Sequence, residues 1–356
     1  MTKRVWHLCS NRWNSAVTEY CLSAARSLQG SGWETLLTAL EDKYCHKRAQ
    51  SYGIPVSAVG SFKLASLLEL RKIYKSFKPD VIMVYGGQET FLSKFFKGAK
   101  VIRFRGLDRD VQQPAKGLSY RLSQGHLAGL LAPSQTLADV YKDIEPKLAA
   151  VNLGVDGEKF SFQKEALKGQ SRPTLTILGR LDPVKGHGAF FLWFSLLKQE
   201  WPEGMEKPLL KVIGEAANIP EDHIRGFAED VGLVEGEDWE FITERVQNIA
   251  EHLSATHVGV ICSQGSEVIC RVAEEFLLCG APIFVSGVGS LENCLYDDEA
   301  GFSYKDLPGD QAVKQLKELL LSSFKEASED KEARALRSQA HFSFEAMGQS
   351  LDQFLT

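Results

Sequence analysis

Short apolar runs alternate with amphipathic helical stretches from one end of this chain to the other, and that alternation leaves few folds open. A strand, a helix and a second strand in the same sheet must run parallel, with helices covering both faces. In the first half the strands read near residues 4 to 9, 34 to 39, 54 to 59, 80 to 85, 100 to 104, 127 to 132 and 148 to 153. In the second they read near 174 to 178, 209 to 213, 239 to 242, 258 to 262 and 282 to 286, followed by helices near 309 to 325 and 344 to 355. The 356 residues suggest two domains of roughly 150 residues each. Between them, Gly154, Gly157, Gly169 and Pro173 flank a charged stretch and mark a linker over 154 to 172. No internal repeat or low-complexity segment interrupts the pattern.

Composition excludes several classes. The 44% hydrophobic content suffices for two cores, and no apolar run approaches the roughly 20 residues that span a bilayer. The opening Met-Thr-Lys-Arg-Val-Trp lacks the apolar region of a signal peptide, so a cytoplasmic location is expected. The seven cysteines are odd in number, scattered, and mostly within apolar segments, which reads as buried reduced thiols rather than zinc ligands. No dense carboxylate or Cys/His cluster with ligand spacing appears, so no metal site and no cofactor are expected.

Net charge is −5, but it is unevenly divided: residues 1 to 155 carry +10 and residues 156 to 356 carry −15. Lys94, Lys97, Lys100, Arg103, Arg105, Arg109, Lys116 and Arg121 are opposed only by Asp108 and Asp110, and Arg71, Lys72, Lys75 and Lys78 form a second group. A basic half on an acidic chain implies an anionic partner. A phosphorylated glycolipid at a membrane surface fits this better than nucleic acid, because no basic motif interleaved with aromatics is present.

The chemistry concentrates in the second half. Glu267 and Glu275 stand where the strand Val258 to Cys262 gives way to a helix that stops at Gly280-Ala281-Pro282. The loop Ser263-Gln264-Gly265-Ser266 offers backbone N–H groups at a helix N-terminus, a natural place for a phosphate. Upstream, an apolar strand runs into Gly179 and then places Arg180 and Lys185 five residues apart before Gly186-His187. A guanidinium that chelates two oxygens and a mobile ammonium together form a metal-free clamp for a diphosphate. If the whole segment were helical, Glu267 and Glu275 would be about 12 Å apart, against about 5 Å for the carboxyl pair of a retaining hydrolase. They therefore read as two grips on one long ligand.

Gly154-Val155-Asp156 with Phe160, Gly179-Arg180 to Lys185-Gly186-His187, Val212-Ile213-Gly214-Glu215, Glu267 with Glu275 to Gly280-Ala281-Pro282, and Gly289 to Glu292 leading to Gly301-Phe302 follow one another in order. In this the chain resembles the retaining GT-B nucleotide-sugar glycosyltransferases of family 4. The resemblance covers most of the sequence. It implies an α/β fold of two Rossmann-like doubly wound parallel-sheet domains with a cleft between them. The implied domains are an acceptor domain, residues 1 to 155, with a helix from about 343 to 356 packing back on it, and a nucleotide-sugar donor domain, residues 156 to 342. By the same resemblance Arg180 and Lys185 neutralise the donor diphosphate, Glu267 holds hydroxyls of the donor sugar, and Glu275 holds the ribose.

Backbone at Gly179, Gly265, Ser266, Val268 and Ile269 is the implied donor cradle, with nucleobase contacts near Arg245 and Val246. Acceptor-side candidates are Asn14, Arg103, Arg105, Asp108 and His126. The chain departs from the family at Ser10 to Ala16, where the usual glycine-rich loop has no glycine, and at Arg103 to Asp108, where many relatives carry a histidine. The implied activity is metal-independent transfer of a sugar from a nucleotide-diphosphate donor to a hydroxyl of an envelope glycan or glycolipid, such as a lipopolysaccharide core, at the inner face of the cytoplasmic membrane. Two other readings stay open. One is a nucleotide-sugar-binding protein that lost catalysis; the other is an epimerase or phosphorylase on the same scaffold.

Overall fold

The computed structural model describes residues 2–106, 124–143, 147–244, 246–265 and 267–356. The chain divides into two compact units, one of Met1–Val155 with His341–Thr356 and one of Asp156–Ala340.

The first unit is built on a parallel sheet of seven strands: β1 (Arg4–Cys9), β2 (Glu34–Leu40), β3 (Val56–Val59), β4 (Val81–Val84), β5 (Lys100–Phe104), β6 (Gly129–Ala132) and β7 (Leu148–Ala150). Their order across the sheet is β3-β2-β1-β4-β5-β6-β7. Central strands such as β4, Val-Ile-Met-Val, are buried on both faces, because helices cover both sides of a parallel sheet. Helix α1 (Ala16–Gly30) starts where the Ser15 side chain accepts from the Thr18 N–H, and α2 (Tyr44–Ser51) follows β2.

The final helix, Phe344–Leu355, belongs to this unit. Ser343 caps it by accepting from the Ala346 N–H, and Asp352 accepts from Lys3 Nζ at 2.9 Å and from Trp33 Nε1 at 2.8 Å.

The second unit repeats the plan with six parallel strands: β8 (Thr174–Leu178), β9 (Leu209–Ile213), β10 (Trp239–Ile242), β11 (Val258–Ile261), β12 (Ile283–Val285) and β13 (Gly301–Ser303). Their order is β10-β9-β8-β11-β12-β13. Its core packs Leu175, Ile177, Leu210, Val212, Val258 and Val260 from the strands against Phe190, Phe191 and Phe194 of the helix His187–Gln199. Each such buried side chain contributes about 1.5–3 kcal/mol.

Two elements here were not expected from sequence. One is the three-residue strand β13; the other is the helix Ser328–Phe342. In both sheets the strand order reverses beside the first strand, between β1 and β4 and again between β8 and β11. The crevice beyond the carboxyl ends of such strands is where an open α/β sheet receives a ligand.

Candidate functional site

In the second unit the segments after β8 and β11 leave adjacent strands and meet at this reversal. Asp182 starts the turn Pro183–Lys185 by accepting from the Val184 N–H at 3.1 Å, and its other oxygen accepts from Asn218 at 2.6 Å. These bonds, the Val184 one above all, hold the Asp182 carboxyl below its usual range. Gly186 closes the turn at φ +75°. A Cβ there would meet the Cys262 carbonyl oxygen at 2.1 Å, so only glycine lets the two segments approach so closely. The Gln264 N–H donates to the Val184 carbonyl at 2.7 Å and fastens them.

That docking brings Lys185 to Glu267. Lys185 Nζ donates to Glu267 Oε1 at 2.5 Å, and Ser263 Oγ donates to the same oxygen at 2.5 Å. The lysine side chain is 26% exposed and the glutamate 8%. The Glu267 carbonyl accepts from the Ser290 N–H at 2.7 Å, against a Gly289 whose φ is +64°. Gly179, Lys185, His187, Ser263, Glu267 and Cys270 line one cavity. Arg180, next in sequence to Gly179, is exposed and makes no ion pair among the described residues. The site thus holds one committed cation, one uncommitted cation and a buried carboxylate. It can bind a dianion whose other end presents hydroxyls.

Glu275 does not line this cavity. It sits in the helix Arg271–Leu278, is 5% exposed, and accepts from Arg271 Nε at 3.1 Å. Burial pushes its carboxyl up, while Arg271 and Lys159 pull it back. That helix begins only at Arg271, so the spacing of about 12 Å for a continuous helix does not apply to Glu267, which precedes it. Val268 is buried, while Ile269, Gly265 and Val246 are partly buried. Arg245, Ser266 and Asp108 lie outside the described residues.

The remaining candidates belong to the first unit. Asn14 is exposed just before α1. His126 bonds through Nε2 to Ser93 Oγ at 2.8 Å, and burial, followed by Lys94, lowers its pKa. Arg103 and Arg105 are not on a solvated basic face. They are 9% and 8% exposed, with Arg103 donating to Gln124 at 2.5 Å and the Arg105 guanidinium 5.7 Å from the Tyr141 ring centre. Arg103 lies within the buried part of β5 and Arg105 directly follows the strand, a burial the count of charges does not reveal.

The sequence matches no protein-family model and no curated relative. Solved structures do match over the whole chain. Anabaena HepE in complex with UDP superposes with a TM-score of 0.77 at 12% identity, covering 99% of each chain, and HepE was also solved with UDP-glucose. A glycosyltransferase from Rickettsia africae superposes with a TM-score of 0.78 at 14% identity, covering 99% of this chain and 98% of that one. The lipopolysaccharide outer core galactosyltransferase WaaB gives 0.72 at 11%, covering 99% of each. This chain has the GT-B fold.

Within its GT-B architecture, the reversal points gather several residues whose contacts or burial sequence reasoning did not give. Ser263 was read only for the backbone N–H groups of its loop, yet its side chain shares the Glu267 oxygen with Lys185. His187 is 1% exposed with both ring nitrogens unpartnered, and burial, then Lys185, lowers its pKa to about 4. Glu274 is buried with Oε2 unpartnered, and burial, then Glu275, raises it to about 8. In the first unit Glu89, 1% exposed, accepts from the Ser10 N–H between β1 and β4, and burial, then Cys9, raises it to about 7. In sequence, Ser263 was visible as part of a loop, His187 as the residue after Gly186 and Glu274 as the neighbour of Glu275, whereas Glu89 carried no signal.

Proposed function

We propose that this protein is a metal-independent, retaining glycosyltransferase that moves a sugar from a nucleotide-diphosphate donor to an acceptor hydroxyl. The observation that carries this reading is the Lys185–Glu267–Ser263 cluster at the β8/β11 reversal, with an exposed Arg180 five residues before Lys185 that makes no ion pair among the described residues. The GT-B fold agrees with it, as do neighbours solved with UDP and with UDP-glucose.

In the proposed reaction the bond between the anomeric carbon and the diphosphate oxygen breaks, and its electron pair stays on that oxygen. Arg180 and Lys185 neutralise the charge that develops, an electrostatic effect worth most in a partly dry site. The acceptor oxygen bonds to the anomeric carbon on the face the leaving group vacates, and its proton passes to the departing phosphate. Glu267 already accepts from both Lys185 and Ser263 through one oxygen. It therefore suits a role in fixing that ammonium and receiving sugar hydroxyls better than one as a covalent nucleophile. Glu275 with Arg271 is the proposed grip on the ribose, and the first unit is the acceptor unit.

The acceptor we infer is an anionic envelope glycan or glycolipid. Exposed Leu64, Leu68, Phe91 and Phe95 are interspersed with exposed Lys63, Arg71, Lys72, Lys75, Lys94 and Lys97 in the first unit. Such a surface suits peripheral contact with an anionic leaflet, at about 1 kcal/mol per basic residue. Among the described residues no helix is long and apolar enough to cross a membrane.

The test is a melting-temperature screen against the diphosphates and sugar diphosphates of uridine, guanosine, adenosine, cytidine and thymidine, with chelator present. Stabilisation by one nucleotide series is expected, followed by release of that diphosphate when acceptor is added. No shift with any of them, and no release, would overturn the reading. A shift without release would leave a binding protein, and donor conversion without acceptor would point to an epimerase.

A further inference from the structure

Cys9, Cys21 and Cys45 have no ligand-like spacing in sequence, yet the fold gathers them. Cys9 ends β1, Cys21 lies within α1 and Cys45 is near the start of α2. Their Sγ atoms all lie within 4.8 Å of one another, and none of the three residues has exposed surface.

We propose that these three sulfurs form a structural site for a zinc ion that ties β1, α1 and α2 together in the first unit.

The geometry is close to what zinc requires. Zinc–sulfur bonds of about 2.3 Å in a tetrahedral centre set the sulfurs roughly 3.8 Å apart. Starting from at most 4.8 Å, each sulfur needs to move only about half an ångström. Three different elements supply one sulfur each, so the ion would cross-link segments that otherwise meet by packing and, between α1 and α2, by the Tyr44–Glu19 hydrogen bond.

Charge selects the ion. Three thiolates around a divalent cation leave one net negative charge in a buried place, whereas a monovalent soft ion would leave two, and uncompensated buried charge is costly. Among the described residues no other His, Cys, Asp or Glu joins the group, so the fourth tetrahedral position would be left to a neutral water that enters with the ion and keeps the net charge at −1. Binding releases the three thiol protons to solvent, and complete burial means that the ion enters as the unit folds.

The experiment starts from the full chain purified without chelator from cells grown with ample zinc. Elemental analysis should find about one zinc per chain, and Cys9→Ser, Cys21→Ser and Cys45→Ser should each lose at least nine-tenths of it. Cys294→Ser, in the second unit, should keep it. Because the serine variants could fail to fold, zinc X-ray absorption of the unsubstituted protein provides an independent reading, with sulfur scatterers at about 2.3 Å expected.

Four results would overturn the proposal. Protein that retains no zinc after incubation with excess ion, and that titrates seven free thiols once unfolded, holds packed thiols only. Two fewer thiols without reductant would mean a disulfide. Zinc retained by all three folded serine variants, or a shell lacking sulfur, would place the ion elsewhere.

Discussion

The two units share one strand order around their centres, but the reversal points hold different chemistry. Beyond β8 and β11 stand an exposed Arg180 and a Lys185 bonded to a buried Glu267, set on a turn that needs a left-handed glycine. Beyond β1 the segment Ser10 to Ser15 contains no glycine and carries an exposed Asn14, and beyond β4 stands the buried Glu89, which accepts from the Ser10 N–H. Topology determines where a ligand can be received, and side chains determine which ligand it is. On our reading the cationic reversal takes the donor, while the first unit presents the acceptor.

The largest effect should come from Lys185→Ala. Removing a cation that meets developing charge should lower kcat by about 100- to 1,000-fold, or about 3–4 kcal/mol of transition-state stabilisation. Asn14→Ala, at the other reversal, should change the acceptor KM by less than about tenfold, the scale of one neutral hydrogen bond. Steady-state kinetics with each substrate varied would measure both. Equal losses in kcat would end the proposed division of labour.

Glu274→Gln addresses the buried carboxyl near the donor side. Folded Glu274 keeps its proton up to about pH 8, while the unfolded chain releases it near 4.5. The protonated carboxyl therefore favours the fold fully below pH 4.5, and that contribution drains away at about 1.4 kcal/mol per pH unit as pH rises towards 8. Glutamine has no proton to lose. The variant should gain on the parent by about 3–4 kcal/mol between pH 5 and pH 8 in denaturant unfolding. Parallel stability–pH curves would show that Glu274 is not held protonated.

Gly186→Ala should cost about 1–3 kcal/mol, because a Cβ at positive φ would press on the Cys262 carbonyl. It should also weaken donor binding by displacing Lys185. A variant with unchanged melting temperature and donor affinity would show that the turn is not what positions the lysine.

Much of the fold was legible in sequence. The buried runs Val81–Val84 and Val258–Ile261 read as strands because a parallel sheet buries both faces. The strand Gly301–Ser303 was missed because three half-buried residues carry no period. The helix Ser328–Phe342 was missed because it turns polar residues inward. Arg334 donates to the Gly280 and Glu299 carbonyls at 2.7 Å, and Lys331, which burial lowers to about 8, reaches the Thr256 carbonyl at 3.4 Å. No apolar stripe marks such a helix.

At the donor site, Arg180, Lys185 and Glu267 could be named from their neighbours in sequence; the Arg271 hold on Glu275 and the role of Ser263 could not. Periodicity, glycine at sharp turns and the order of short motifs are local properties, and by themselves they determined two wound parallel sheets. The meeting of Lys185 with Glu267, the burial of Arg103 and Arg105 and the convergence of Cys9, Cys21 and Cys45 were decided only by tertiary structure. The physical reason lies in the crossovers, which make neighbours of strands distant in sequence such as β8 and β11.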